Sequence, residues 1–217
     1  MSFLRPATAA DLPALTDFLH ARLDQAMFAL SNLTTHGLGD QKPQQMRFWL
    51  HESGDKVQGI LGLSGDGVAF PLFSSPDPGH WPLAAEILAG LKLTGLIAPP
   101  EDVAGLYHAI TPDPWPAERD STEPGFILDL AALTPPATTS FRLHRPTEAD
   151  RPLMQVWRAQ YVSEVLGVPA ARADDVAAGQ VDGFLARDSH RLLLRDGVAV
   201  AMTGFNAHLP DCVQIGG

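Results

Sequence analysis

Apolar residues recur in this chain with two periods, and the order in which those periods appear is repeated. Leu12, Leu15, Leu19 and Leu23 fall three or four residues apart, which predicts one face of a helix. "MRFWLHE", "KVQGILGLS" and "GVAFPLFS" then alternate or run apolar over short stretches. Ser53-Gly54-Asp55 and Gly65-Asp66-Gly67 separate them, so they predict an antiparallel meander joined by tight turns. Helix "HWPLAAEILAG", strand "LKLTGLIA", helix "PEDVAGLYHAI" and strand "GFILDLAAL" are expected to follow. From Phe141 the order begins again. "SFRLHRP" predicts a strand, and Leu153, Trp157, Tyr161 and Val165 predict a helix face. A helical "DDVAAGQVDGFLARD" leads to the strands "HRLLLRDG", "VAVAMTGFN" and "CVQIGG", with Arg195-Asp196-Gly197 as the first turn.

The two starts match residue by residue. Thr8-Ala9-Ala10-Asp11-Leu12-Pro13 recurs as Thr147-Glu148-Ala149-Asp150-Arg151-Pro152, 139 positions on. Each has Thr three places before Asp, a capping box, and Pro in the first turn where a missing N–H does no harm. We therefore expect a duplicated unit, 1–135 and 141–217, joined by a linker at 136–140 within "LTPPATTS". The stretch Thr111–Gly125, with four prolines, reads as a surface loop. The same spacing sets Gly217 opposite Pro78, just past the third meander strand. The second copy then lacks counterparts of the first copy's later helices and strands. Two readings of that shortness stand: a chain cut before the unit is complete, which is the expectation, or a naturally short copy that completes its sheet elsewhere.

Composition narrows the partners. A formal charge of −10 with scattered basic residues argues against nucleic acid or an anionic membrane as a standing partner. With 45% hydrophobic and 18% charged residues, the chain has enough apolar surface for a real core. One cysteine, Cys212, allows no internal disulfide and fits a reducing, cytoplasmic setting. The opening "MSFLRPATAADL" lacks a secretion-signal pattern, and His80–Pro100 carries Glu86, Lys92 and prolines, so no span is expected.

The order of elements, with "FLRPATAADLPALTDFL", "FRLHRPTEADRPLMQVW" and "RLLLRDGVAVAMTGFNAHLPDCVQIGG", resembles the GNAT N-acetyltransferase superfamily. The resemblance implies an α/β (α+β) fold of two tandem GNAT-like units, each a mostly antiparallel sheet flanked by helices, the second incomplete. It also implies acetyl-CoA as co-substrate and transfer of acetyl to an amine, either a small molecule or a peptide N-terminus. That family marks its pyrophosphate loop with Gln/Arg-x-x-Gly-x-Gly/Ala, which this chain does not contain. In the first copy the equivalent stretch is Ser74-Ser75-Pro76-Asp77-Pro78-Gly79-His80, where prolines remove donors and Asp77 opposes an anion. The first unit is accordingly expected to be structural. In the second copy the resemblance places Ile215, Gly216 and Gly217 beside the pantetheine arm, while the plain alternative for Gly216-Gly217 is a bulge or turn.

Candidates for proton transfer are Glu164, three residues after Tyr161 on a helix, and His208 in "NAHLPD", with Asn206 and Asp211 beside it. Solvated surface residues are the plain alternative for each. Cys212 has no histidine partner in a motif, Ser64 in "GLSGDG" reads as a turn, and no histidine spacing suggests a metal. The rival to an acetyltransferase is a non-catalytic GNAT-like binding or regulatory module. An open sheet edge also makes a homo-oligomer an expectation.

Overall fold

The computed structural model describes residues 3–54, 56–75, 77–110, 117, 120–135 and 140–216. Asp55, Pro76, most of the Thr111–Gly125 loop, linker residues 136–139 and Gly217 lie outside them. The chain divides into two compact units, Met1–Ala131 and Ala132–Gly217. Each is a mixed α+β layer structure with its own sheet.

In the N-terminal unit, β1 (Arg5–Pro6) leads through a 3-10 turn to α1 (Leu12–His20) and α2 (Leu23–His36). β2 (Met46–Ser53), β3 (Lys56–Ser64) and β4 (Val68–Phe73) follow, then α3 (His80–Leu88), β5 (Gly95–Leu96) and α4 (Pro100–Ile110). The sheet order is β1-β2-β3-β4-β5, antiparallel except for the last pair. The capping box forms as the sequence predicts: Thr8 N and Oγ1 both donate to Asp11 Oδ2, at 2.7 and 2.9 Å. Arg5 clamps Asp11 and Glu52 together and holds the Asp11 carboxyl far below the usual range. Leu15 and Leu19 are buried, but α1 stops at His20 and Leu23 opens the next helix. Strand period then sorts the sheet's two faces. Met46, Phe48 and Leu50 are buried on one, while Leu61, Leu63, Ala69 and Phe73 pack with Ala84, Leu88 and Leu106 of α3 and α4 on the other.

The C-terminal unit repeats the first half of that order: β6 (Phe141–His144), α5 (Arg151–Glu164), α6 (Ala170–Arg187), β7 (His190–Arg195), β8 (Val198–His208) and β9 (Val213–Gly216). Its sheet runs β6-β7-β8-β9, all antiparallel. Thr147 N and Oγ1 donate to Asp150 Oδ2 at 2.8 and 3.0 Å, and His144 sits 3.0 Å from Asp150, where Arg5 meets Asp11 in the first copy. The duplication extends to an irregularity. The β2–β3 ladder slips between His51 and Glu52, and the β7–β8 ladder slips at the equivalent Leu193 and Leu194. A shared bulge is a closer structural correspondence than shared periodicity, because nothing in an alternating pattern demands it.

Four expectations are corrected. The buried residues of α5 are Met154 and Val162, one residue on from Leu153 and Tyr161; Trp157 and Tyr161 are half-buried, and Leu153 and Val165 are exposed. "LKLTGLIA" contributes a strand of only Gly95–Leu96. "GFILDLAAL" is not a strand. Phe126–Asp129 have no regular structure and Leu130–Ala132 form a 3-10 turn, with Phe126, Ile127, Leu128 and Leu130 exposed. A short apolar run makes a segment fit for a sheet, but a strand also needs an edge to pair with, and β5 is too short to give one. Finally, Gly216 pairs with Gly204 as Phe70 pairs with Gly62, so Gly216 is the counterpart of Phe70, and the 139-residue spacing of the two starts does not hold as far as β9. The outer sheet face that α3 and α4 cover in the first unit leaves Leu143, Phe205 and Ile215 exposed in the second.

Candidate functional site

The N-terminal unit contains a splayed strand pair. β4 and β5 run parallel and pair only at Val68–Gly95 and Ala69–Leu96, after which β4 continues alone to Phe73. Alternation turns Ala69, Pro71 and Phe73 toward the open side. Ala69 O accepts from Ile97 N at 3.0 Å, Pro71 has no N–H, and Phe73 N–H is held by Asp102 Oδ2 at 3.4 Å. The wedge therefore offers no free backbone donor along β4. Asp102 reaches it from the first turn of α4, where its own N–H bonds Pro99 O. Its side chain is 2% exposed, and burial raises its pKa to about 6. Oδ1 has no hydrogen-bond partner among the described residues.

The loop after β4 is just as fully used. Asp77 N donates to His80 Nδ1 at 3.1 Å, Gly79 N to Asp77 Oδ1 at 2.9 Å, and His80 N to Asp77 O at 2.8 Å. Donors that would greet an anion at a helix start are already spent on the loop itself. His80 is buried, stacked on Phe73 at 4.4 Å and 4.5 Å from His51. Burial and then the nearby His51 hold its pKa below the usual imidazole value. The residues of this unit do not fit a coenzyme pyrophosphate.

In the C-terminal unit the sequence-predicted residues are spread over three elements. Glu164 ends α5, exposed to solvent. His208 ends β8, also exposed, its ring 5.5 Å from Phe205. No hydrogen bond or ion pair among the described residues links either of them to another side chain. Ile215 is 71% exposed on β9, which pairs with β8 alone among the described residues. A Cβ on Gly216 would stand 2.0 Å from Asn206 Nδ2, so glycine here admits the Asn206 side chain that the β8 bulge turns across β9. Cys212 is half-buried and unbridged, its carbonyl accepting from Leu209 N in the β8–β9 turn. Ser64 Oγ bonds Asp66 and Val68 inside a hairpin turn, as expected of a turn serine. Gly217 lies outside the described residues.

Sequence reasoning missed the buried titratable groups, Asp102, His80 and His190. For His190 a signal existed, since it shares strand period with the buried Leu192 and Leu194. Among the described residues no three His, Cys, Asp or Glu side chains gather as metal ligands, and no helix is long and apolar enough to cross a membrane.

No family model matches the chain, and no curated protein matches it at a significant level. Among solved structures it is similar to a tandem GNAT protein from the clavulanic acid biosynthesis pathway (without AcCoA). That likeness has a TM-score of 0.40 and 16% identity, over 94% of this chain and 73% of the other.

Proposed function

We propose that both units are GNAT-like, that the N-terminal one is structural, and that acetyl transfer from acetyl-CoA to an amine belongs to the C-terminal one. The observation that carries this reading is the β4–β5 splay, the place where such a fold receives its coenzyme, closed in the first unit by that unit's own Asp102 and Phe73. A domain whose wedge is plugged from within has kept the scaffold and given up the ligand. The chemistry then falls to β9, where Ile215 and Gly216 would lie along the pantetheine arm. The described residues there supply no pyrophosphate loop, so they meet only part of the coenzyme's needs and no catalytic step is routed through it. His208 beside β9 and Glu164 at the end of α5 are the groups proposed to take the amine's proton. The acceptor is a small-molecule amine or a peptide N-terminus, and the chain's charge of −10 favours a cationic one.

A second reading, a non-catalytic GNAT-like binding module in a cytoplasmic setting, is favoured by the isolation of Glu164 and His208 from any orienting partner. Amide-resolved NMR titration with acetyl-CoA separates the two. The acetyltransferase reading expects weak binding, above micromolar Kd, with shifts confined to Val213–Gly216 and neighbouring β8. Shifts centred on Phe73–His80 would refute the assignment of roles. No shift at millimolar coenzyme would favour the binding module.

A further inference from the structure

One end of the C-terminal unit differs from its sister in a consistent direction. In the N-terminal unit Phe48 pairs with Gly62, and its ring lies against that glycine, 2.9 Å from where a Cβ would be. In the C-terminal unit the same pair is His190 and Gly204, with the imidazole pressed onto the glycine at 2.4 Å. His190 is only 3% exposed and stacks on Phe184 at 3.6 Å. Its Nδ1 meets Ser189 Oγ at 2.9 Å, and its Nε2 is sealed from solvent and has no partner among the described residues. A phenylalanine fills this position without leaving a polar atom unpaired, as Phe48 demonstrates.

Two neighbours stand out beside it. Asp188, which ends α6 two residues before His190, adopts φ 52° and ψ 35°, a left-handed conformation that favours glycine. Pro6, the last residue of β1, is replaced by Arg145, whose Nε donates to Asp188 Oδ1 at 2.9 Å, while Arg191 donates to the same oxygen at 2.8 Å. These residues line one cleft of about 340 Å³, walled by Arg145, Thr147, Phe184, Asp188 and His190. Arg158 and Arg187 add positive charge close to the His190 ring and, after burial, help to hold it neutral. Of these four arginines Arg145 lines the cleft together with Asp188, while Arg191, Arg158 and Arg187 stand behind its walls and add positive potential, in a chain of net charge −10.

We propose that this cleft is a binding site for a small oxyanion, the carboxylate or phosphate group of a ligand, received by the terminal nitrogens of Arg145 and, as the ring that lines the cleft turns toward it, by the unpartnered His190 Nε2–H. Binding of an anion calls for the tautomer in which Ser189 Oγ–H donates to Nδ1 and the ring proton sits on Nε2, an arrangement the 2.9 Å Ser189–Nδ1 contact accommodates. Arg145 keeps NH1 and NH2 available beyond its Nε bond to Asp188. The site stands two strands away from Gly216 and is independent of the acetyl-transfer reading.

Titrating the intact protein with inorganic phosphate, and separately with acetate, tests it by NMR of the guanidinium and backbone N–H groups at constant ionic strength. The expected result is a saturable shift of the Arg145 guanidinium and of the Thr147 and Asp188 backbone amides, which line the same cleft; the affinity read from those amides falls at least tenfold in His190→Phe and in Arg145→Gln, and chloride gives no such shift. The tighter of the two probes identifies the source of the oxyanion. His190→Phe adopts the sister unit's own residue, and its far-ultraviolet circular dichroism should match the parent. No saturable shift with either probe, or an affinity that survives His190→Phe unchanged, overturns the proposal.

Discussion

Asp102 gives the sharpest test of how the N-terminal wedge is closed. Its carboxyl is buried, receives one long hydrogen bond from Phe73 N–H, and has its pKa raised from 3.8 to about 6. In the unfolded chain it ionises near 3.8. Between those values the folded state holds a proton that the unfolded state has lost, so stability falls as pH rises. The favourable contribution is fully present below pH 3.8 and gone above about 6. A shift of about two units corresponds to roughly 3 kcal/mol, of which about 2.5 kcal/mol falls between pH 4 and 7.5.

Asp102→Asn keeps an oxygen for Phe73 N–H and removes the titration. Urea unfolding followed by tryptophan fluorescence reports on this spot, because the Trp81 ring presses on Gly105 of α4. The variant should gain on the parent as pH rises. The difference in their stabilities should grow by about 2.5 kcal/mol from pH 4 to 7.5, a relative midpoint shift of about 1 M urea. An absolute cost common to both pH values, on the order of 1–3 kcal/mol for the newly buried amide nitrogen, cancels in that comparison. A difference that stays flat with pH, or runs the other way, would mean that the carboxylate is compensated in the fold, and the account of the plugged wedge would fall.

Other outcomes follow from the same geometry. His190 titrates with the opposite sign. Burial lowers its pKa from 6.5 to about 4, so stability is lost as pH falls through that window, and His190→Phe should flatten that limb by up to roughly 3 kcal/mol in pH-resolved melts. Gly105→Ala would set a Cβ 2.3 Å from the Trp81 ring, and the overpacking, about 1–3 kcal/mol, should exceed the helix-propensity gain of about 1 kcal/mol, lowering the unfolding midpoint. Thr8→Ala and Thr147→Ala each remove the same cap and should each cost about 1 kcal/mol by denaturant titration; a large cost for only one of them would contradict the equivalence of the starts.

How far the fold could be read depends on whether the deciding contact is local. Both capping boxes are legible because Thr and Asp are three residues apart and make their bonds within that span. The strands are legible because period 2 records burial, as in Met46, Phe48 and Leu50. Phe126–Leu130 misleads for the complementary reason. It is a short apolar run, Phe126-Ile127-Leu128 with Leu130, of the kind a strand can have, but a strand's partner is remote in sequence, and a local run carries no information about it. The face of α5 misleads less severely, since helix phase is set by what packs against the helix, and one residue of rotation exchanges Leu153 and Tyr161 for Met154 and Val162, the fully buried pair. Asp102 was illegible. In "PEDV" it reads as a favourable charge in a first turn, and nothing local says that the turn is driven under the end of β4.

The duplication supplies what a single sequence otherwise lacks, a control for each position. Where the sister unit keeps Phe48, the fold is satisfied by an apolar ring. His190 at the matching place and Asp188 beside it each work against folding: an imidazole nitrogen buried without a partner, and a side chain in a backbone region that favours glycine. Independent drift would scatter such costs through the unit. They meet at one cleft, which is the distribution expected when stability has been surrendered for binding, and a His190→Phe variant that is both more stable and blind to oxyanions would join those two consequences in one molecule.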